Sequence, residues 1–279
     1  MLKSSTTSEN ETIASIAIGG FDGLHLGHRK LLDALGKNGA LLVVEKGFSP
    51  ALTPAQERCR YTEHPCFFLD FDAIKGMEAS DFMRYLRVLF PNLKKIVVGY
   101  DFRFGKNRRG DHETLKQMEG VAVEVIAEQR VAGISVHANE IRNLLRDGKI
   151  ELANRLLGRR YSVRGDIISG QGLGKKALYP TCNLDTGDFL LPKEGVYITQ
   201  SLIDGKLYPS VTFIGKRLSA DNRFSVETHI LEEDLEVKED KAELFFLAYL
   251  RSNKKFDSLH ELKRQIGEDI EKAKRAFTG

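Results

Sequence analysis

The sequence GGFDGLHLGHRKLL, residues 19–32, decides the fold of the first half of the chain. An apolar run at residues 13–18 precedes it. Leu31 and Leu32 at its end and Leu35 just beyond it are placed at helical spacing. This order predicts a strand, a glycine-rich turn and a helix. Because glycine permits backbone conformations and close approaches that a Cβ obstructs, a phosphate group can come near this turn.

Two histidines of this stretch, His25 and His28, lie on either side of the predicted helix start. A helix N-terminus carries unpaired amides and a partial positive charge, which favour an anion, and imidazoles can donate hydrogen bonds to phosphate oxygens. Gly27 is expected to let the helix start tightly against the strand. We therefore predict a phosphate site, the alternative being a packing turn with surface histidines. Neither the Walker pattern nor the dinucleotide fingerprint of three spaced glycines explains the turn.

Short apolar runs alternate with helical patterns through the first half of the chain. Alternation of this kind predicts a parallel sheet with right-handed crossovers. In such a sheet a ligand lies beyond the carboxyl ends of the strands, which is where the glycine-rich turn follows the first strand. The strand candidates are residues 13–18, 41–44, 66–71, 95–98 and 121–126, and a helix ended by Pro91 is predicted from Phe82, Tyr85, Leu86 and Leu89.

From residue 161 the pattern changes to short strand-like runs separated by Gly, Asp and Pro. Such runs predict a small antiparallel barrel. An amphipathic helix follows, with a possible capping box from Ser258 to Glu261, and we expect it to pack on the barrel as a lid or buttress. The strand candidates are residues 161–168, 195–203, 208–214, 225–231 and 244–250.

Composition limits the classes of partner and compartment. The chain has 279 residues, with 42 basic and 39 acidic side chains and a net charge of +3, so no polyanionic partner is demanded. Its three cysteines, Cys59, Cys66 and Cys182, are too few and too irregularly spaced for a metal cluster, and their odd number disfavours a disulfide framework. No signal-peptide pattern or membrane-length apolar run is present. We expect a cytoplasmic protein, monomeric or weakly homo-oligomeric, without a nucleic-acid or membrane partner.

The string GGFDGLHLGH resembles the signature of HxGH-type nucleotidyltransferases. Together with VGYDFRFGKNRRGD, residues 98–111, it closely resembles bacterial bifunctional riboflavin kinase/FAD synthetases. The resemblance continues through residues 141–167, 172–184, 191–198 and 226–231, and thus covers nearly the whole chain. Several such strings in one order identify the family far better than any single string.

This resemblance implies an α/β chain with two domains. Residues 1–157 are expected to form a Rossmann-like HxGH nucleotidyltransferase domain with a parallel sheet, which adenylylates FMN to FAD. Residues 158–279 are expected to form a small antiparallel β-barrel riboflavin kinase domain with a terminal helix, which phosphorylates riboflavin to FMN. Both reactions are expected to use ATP and Mg²⁺.

Adenylyl transfer from ATP to FMN has an anionic nucleophile, so the enzyme needs positioning and charge stabilisation rather than a base. By resemblance, His25 and His28 contact the ATP phosphates and stabilise the transition state, and Arg142 contributes a guanidinium. The other ATP-binding residues of the turn are expected to be Gly19, Phe21, Gly23 and Gly27. The flavin side is expected to be lined by Asp101, Phe102 and Arg103.

Phosphorylation of riboflavin differs because a neutral hydroxyl must lose a proton as it attacks, so a nearby carboxylate is valuable. The resemblance implies that Glu227 is this base and that Thr181 and Asn183 hold Mg²⁺ and the phosphates. Oxygen ligands suit magnesium. A glycine-rich hairpin and a solvent-facing strand glutamate are the structural alternatives. The ATP phosphates are expected on a flexible cationic segment with Gly170, Gly172, Gly174, Lys175 and Lys176.

The chain also departs from the family pattern. His137, Ala138 and Asn139 stand where family members usually have a Ser-Ser-Thr run, and residues 45–54 replace the usual Phe-x-Pro-His-Pro loop. Leu178 stands where a glycine is usual, and residues 213–219 lack the usual asparagine and Pro-Thr pair. The altered segment at residues 137–139 motivates one alternative, a riboflavin kinase whose first domain has lost adenylyl transfer. A second alternative, from another class of protein, is a non-catalytic flavin or nucleotide sensor, with RNA contacts through residues 106–109. Retention of both histidines and of Thr181, Asn183 and Glu227 argues against the sensor.

Overall fold

The computed structural model describes residues 10–47, 50–168, 182–217, 224–231 and 240–278. The chain divides into two compact units, Met1–Ala138 and Asn139–Gly279. The functional boundary after residue 157 stays a prediction, because the division into compact units does not show which of the two reactions residues 139–157 serve.

The first unit is built on a five-stranded parallel sheet in the order β3-β2-β1-β4-β5, which confirms the predicted architecture. The central strand β1 pairs with β2 on one side and with β4 on the other, so the strand order reverses beside it. The carboxyl end of β1 is therefore the topological switch point, where ligands bind in such sheets. The strands are β1 (Ser15–Gly19), β2 (Gly39–Glu45), β3 (Cys66–Asp70), β4 (Lys95–Gly99) and β5 (Ala122–Ile126).

Apolar residues cover both faces of this sheet. Ile16 and Ile18 belong to one buried cluster with Phe82, whereas Ala17 belongs to another with Leu31. The connecting elements are the helices α1 (Leu26–Asp33), α2 (Phe71–Ile74), α3 (Ala79–Leu89) and α4 (His112–Leu115), the 3₁₀ helices Asn10–Thr12, Ala55–Tyr61 and Lys106–Arg108, and a hairpin of β6 (Arg130–Val131) and β7 (Ile134–Ser135).

The second unit begins with two helices and continues as a closed antiparallel barrel in the order β10-β11-β12-β9-β8-β13. The barrel confirms the predicted all-antiparallel class, and one short strand, β9, was not anticipated. The elements are α5 (Ala138–Arg146), α6 (Ile150–Leu157), β8 (Tyr161–Ile168), β9 (Cys182–Asp185), β10 (Gly195–Ile203), β11 (Lys206–Lys216), β12 (Phe224–Ile230), β13 (Lys241–Arg251) and α7 (Leu259–Thr278).

The terminal helix α7 packs on the outer face of the barrel, as a buttress. Ala273 is buried in a cluster with Val196 and Val211, and Phe277 packs against the same cluster. The predicted capping box is modified: Ser258 Oγ accepts a hydrogen bond from the Glu261 amide at 3.2 Å, but the Glu261 carboxylate accepts from the Asp257 amide at 3.3 Å. None of the described helices is long and apolar enough to cross a membrane.

Polar side chains fill part of the barrel interior. Five fully buried hydroxyls bond one another there, with Thr199 to Ser210 at 2.8 Å and Thr212 to Thr228 at 3.0 Å among the links. Each hydroxyl thereby recovers a hydrogen bond that it loses with water, which makes burial of these groups tolerable.

Candidate active sites

The glycine-rich turn leaves β1 at the switch point and adopts an unusual backbone. Gly23 has φ 83°, and the non-glycine residues Phe21 and Leu24 also lie in the left-handed region, with φ 48° and 37°. Such values cost energy for residues with a Cβ, and burial of both side chains, each 1% exposed, offsets that cost. The turn is thus held in place by packing as well as by its glycines.

His25 is the N-cap of α1. Its Nδ1 accepts a hydrogen bond from the His28 backbone amide at 3.3 Å, so in the neutral ring the proton lies on Nε2. The two rings stack with centroids 3.6 Å apart. A Cβ on Gly27 would lie 3.2 Å from the His25 ring and 3.3 Å from the Val136 carbonyl oxygen. Gly27 therefore makes room for the His25 ring and the Val136 backbone, rather than for the strand as the sequence suggested.

His28 is largely withdrawn from water. Its Nδ1 is buried, and none of the described residues gives it a hydrogen-bond partner. Burial lowers the pKa of His28 well below its usual value, and the charges of His25, His137 and Arg58 lower it further. The resting ring is therefore a neutral imidazole at neutral pH.

A carboxylate ties the turn to the loop that follows β2. Asp22 Oδ1 accepts from the Thr53 amide at 2.9 Å, Asp22 Oδ2 accepts from the Leu52 amide at 3.1 Å, and the Gly23 amide donates to Thr53 Oγ1 at 2.8 Å. This loop is where the chain departs from the family's Phe-x-Pro-His-Pro pattern. These hydrogen bonds show that the loop packs directly on the glycine-rich turn.

Sequence reasoning missed Asp22, Thr53 and Arg58. Arg58 is 8% exposed, and its Nη1 lies 3.1 Å from Glu45 Oε1 and donates to the Ala55 carbonyl at 3.3 Å. It is close enough to influence the pKa of His28, so it adds a cation beside the histidine pair. Asp22 stands inside the quoted motif and was detectable there, whereas nothing local distinguishes Arg58 from a surface arginine.

The predicted flavin-side residues directly follow β4, at the same edge of the sheet as the turn after β1. Asp101 and Arg103 are exposed, and the half-buried Phe102 stacks on Phe104 with centroids 5.7 Å apart. Arg142 lies in α5, where its Nη1 donates to Asn139 Oδ1 at 2.7 Å. Their contacts with flavin and ATP stay predictions.

The second candidate site lies on the outer face of the barrel. Glu227 on β12 is directly opposite Asn183 on β9 and Phe213 on β11, and directly paired residues share a face. Phe213 packs on the cluster under α7, so this row lies on the same outer face. Glu227 and Asn183 are thus neighbours, although 44 positions separate them in the sequence.

The Glu227 side chain is 22% exposed and has two partners. Ser225 Oγ donates to Glu227 Oε1 at 2.9 Å, and Arg217 Nη1 lies 3.6 Å from the same oxygen. Asn183 Oδ1 is buried, and no described residue donates a hydrogen bond to it. The arrangement offers a held carboxylate beside an acceptor oxygen that still requires a donor or a cation.

The remaining predicted ATP and metal residues, Gly170, Gly172, Gly174, Lys175, Lys176 and Thr181, lie outside the described residues. Within the described part of the chain, no group of three or more His, Cys, Asp or Glu side chains is placed to hold a metal ion by itself. Magnesium that binds with nucleotide phosphates needs no such group, since it takes few protein ligands.

Comparisons with known proteins cover both units. A family model described as FAD synthetase matches residues 48–139, and one described as riboflavin kinase matches residues 157–277. In fold, the chain resembles a crystal structure described as a macrolide-efflux protein from Streptococcus pneumoniae, with a TM-score of 0.82, 24% identity and 94% coverage of both chains. At that identity the likeness shows the fold alone.

Several curated relatives carry the name bifunctional riboflavin kinase/FMN adenylyltransferase. The protein of Buchnera aphidicola subsp. Schizaphis graminum is 31% identical over 95% of this chain and 94% of its own. The Escherichia coli K12 protein is 31% identical over 94% of this chain and 92% of its own. The Bacillus subtilis protein is 26% identical over 97% of this chain and 94% of its own. With both units matched along nearly their whole length, the chain belongs to the family of bifunctional riboflavin kinases/FMN adenylyltransferases.

Proposed function

We propose that the chain phosphorylates riboflavin to FMN and then adenylylates FMN to FAD, with Mg-ATP as the donor in both reactions. The observation that carries the proposal is that each unit keeps the constellation its reaction requires: a histidine pair at a helix N-terminus in the first, and a held carboxylate beside an oxygen ligand in the second. Family membership over 95% of the chain supports the same assignment.

In adenylyl transfer, a phosphate oxygen of FMN attacks the α-phosphorus of ATP, a new P–O bond forms, and pyrophosphate leaves. The attacking oxygen is already anionic, so no base is required. His25 offers its Nε2 proton, and His28 and the amides at the start of α1 offer further donors to the developing charge. Because His28 is neutral at rest, an incoming phosphate can supply the negative charge that favours its protonation.

In riboflavin phosphorylation, a riboflavin hydroxyl attacks the γ-phosphorus of ATP, and ADP leaves. Glu227 takes the hydroxyl proton as general base. Ser225 and Arg217 both contact Oε1 of Glu227, so Oε2 is the oxygen that receives the proton. Loss of that proton during attack is what makes the neutral hydroxyl an adequate nucleophile.

We also propose that Asn183 helps to hold Mg²⁺ in the kinase site. Its buried Oδ1 lacks a donor among the described residues, and hard oxygen ligands beside a carboxylate suit this ion. Bound Mg²⁺ would neutralise phosphate charge on ATP. The protein oxygens would orient the nucleotide toward Glu227.

The enzyme is further proposed to be cytoplasmic, where riboflavin and ATP are available, and to be a monomer or a weak homo-oligomer that needs no nucleic acid. The near-balanced charge and the odd number of cysteines support this proposal. Light scattering during size-exclusion chromatography measures the oligomeric state, and a mass above that of a dimer at micromolar concentration contradicts it.

The test is incubation of the purified chain with riboflavin and excess Mg-ATP, followed by chromatographic separation of riboflavin, FMN and FAD over time. FMN that appears before FAD is the expected result. FMN alone, with added FMN also left unconverted, would mean that the first unit has lost adenylyl transfer. Tight flavin binding without turnover would support a sensor instead.

A further inference from the structure

His137 lies beside the His25–His28 pair, although it comes from a distant part of the sequence. The backbone just before it crosses the first turn of α1, where the Val136 carbonyl oxygen would be 3.3 Å from a Cβ on Gly27. His137 is also close enough for its charge to lower the pKa of His28. With 39% of its side chain exposed, His137 is accessible to a ligand that reaches this turn.

The His137 ring is held from the carboxyl ends of two neighbouring strands. Its Nε2 lies 3.0 Å from Tyr100 Oη, and Tyr100 directly follows β4. Nε2 also lies 4.0 Å from Glu128 Oε1, two residues beyond β5. Glu128 is fixed in turn by Ser135 Oγ, which donates to it at 2.6 Å, and by Arg130 Nε, which donates to it at 2.7 Å.

These contacts involve one of the two ring nitrogens of His137 and leave the other, Nδ1, for a ligand. Among the described residues, the hydrogen bonds and ion pairs of the ring all involve Nε2. The single hydroxyl proton of Tyr100 is within reach of two acceptors, Glu128 Oε1 at 3.4 Å and His137 Nε2 at 3.0 Å. When it is donated to Nε2, across the shorter contact, the ring proton lies on Nδ1, where it can be donated to an anion. A site that favours an anion lies at the start of α1, where the helix N-terminus meets Nδ1 of His28, which has no hydrogen-bond partner among the described residues.

We propose that His137 binds a phosphate group of the nucleotide through Nδ1, and that Tyr100 and Glu128 are its positioning residues. The first unit then uses a cluster of three histidines from two separate segments. The proposal rests on the proposed adenylyl transfer and adds a ligand-contacting residue to it.

Three substitutions at His137 separate phosphate binding from support of Tyr100. Asn places a polar group near the position of Nδ1, whereas Gln reaches the position of Nε2 and keeps the contact with Tyr100; Ala keeps neither. His64→Ala is the matched control, since His64 precedes β3 at the opposite edge of the sheet. The full chain is titrated calorimetrically with inorganic pyrophosphate and Mg²⁺, and kcat and KM for ATP are measured during FAD formation from FMN.

We expect His137→Ala and His137→Gln to weaken pyrophosphate binding and to raise the KM for ATP by about tenfold or more, as loss of a charge-assisted hydrogen bond predicts. His137→Asn should stay within about threefold of the wild type, and His64→Ala should match it. The opposite order, with Gln active and Asn impaired, assigns a purely structural role and overturns the proposal. Equal affinities in all variants overturn it too.

Failure of the proposed function gives a separate result. A wild-type chain that forms no FAD from FMN and Mg-ATP refutes adenylyl transfer, whatever its pyrophosphate affinity. The titration then still decides the anion site, because the Asn and Gln variants must differ if Nδ1 is the donor. A wild-type chain that does not bind pyrophosphate overturns the His137 site directly.

Discussion

The His25 ring stacks on the His28 ring with centroids 3.6 Å apart, while His25 Nδ1 accepts a hydrogen bond from the His28 backbone amide. One side chain therefore caps the helix and also orients a neighbouring imidazole. The cap also fixes which nitrogen of His25 carries the proton in the neutral ring: Nδ1 accepts a bond, so the proton lies on Nε2.

Substitution of His25 separates these two roles. Asn is a good N-cap but lacks the Nε2 donor, so His25→Asn should unfold nearer to the wild type than His25→Ala, which loses about 1 kcal/mol from the missing cap. FAD formation from FMN should fall about tenfold or more in both variants. Urea denaturation and steady-state kinetics measure the two effects. Full FAD formation by His25→Asn would show that Nε2 contacts no phosphate.

The lowered pKa of His28 predicts how stability depends on pH. In the unfolded chain the imidazole takes up a proton below its ordinary pKa of about 6.5, whereas the folded chain resists it. Stability therefore falls as pH drops from about 6.5 toward the lowered folded pKa, by at most about 1.4 kcal/mol per pH unit from this group. The contribution is absent above the unfolded pKa, because both states are then neutral.

His28→Gln removes this titration. Urea midpoints measured from pH 5 to 7.5 should fall less steeply with acid in the variant than in the wild type. Parallel curves for the wild type and His28→Gln would mean that the buried ring does not resist protonation.

Glu227→Gln keeps the size of the side chain and removes its basicity. FMN formation from riboflavin should fall about 100-fold or more, while FAD formation from added FMN continues at the wild-type rate. Ser225→Ala removes only one hydrogen bond to the carboxylate, so a much smaller loss is expected. Unchanged FMN formation by Glu227→Gln would remove Glu227 from the role of base.

The ion pair of Arg251 and Asp269 holds α7 on the barrel. Arg251 donates from Nε and Nη2 to the Asp269 carboxylate at 2.7 to 3.1 Å, and Asp269 is 2% exposed. Asp269→Ala leaves the guanidinium without this partner, so the free energy of unfolding should fall by about 3 kcal/mol.

The control for that substitution lies next to it on the same helix. Glu268 pairs with Arg264 at 2.7 Å, but the two side chains are 43% and 64% exposed. Glu268→Ala should therefore cost less than about 1 kcal/mol. Equal losses for the two variants, measured by urea denaturation, would argue against a special role of the buried pair.

Much of the fold was readable from local pattern. The alternation of apolar runs predicted all five strands of the parallel sheet, and the strands at residues 161–168 and 195–203 have the predicted bounds. The four-residue strand β9 is not predicted from the sequence, because four residues are too few to show the alternation of apolar and polar side chains that marks a strand. The barrel interior also differs from the usual alternation of apolar inward and polar outward residues. Thr199 and Thr212 are fully buried, although their polar side chains predict exposure to solvent.

The sequence by itself determined the two classes of fold, the position of the glycine-rich turn and the candidate residues, because hydrophobic period, glycine placement and motif order act within short segments. Only the tertiary structure placed Asn183 opposite Glu227, clamped Asp22 to Thr53 and brought His137 to His28. Such pairs depend on strand register and on packing between segments, and a one-residue slip in register would turn every side chain of a strand to the other face.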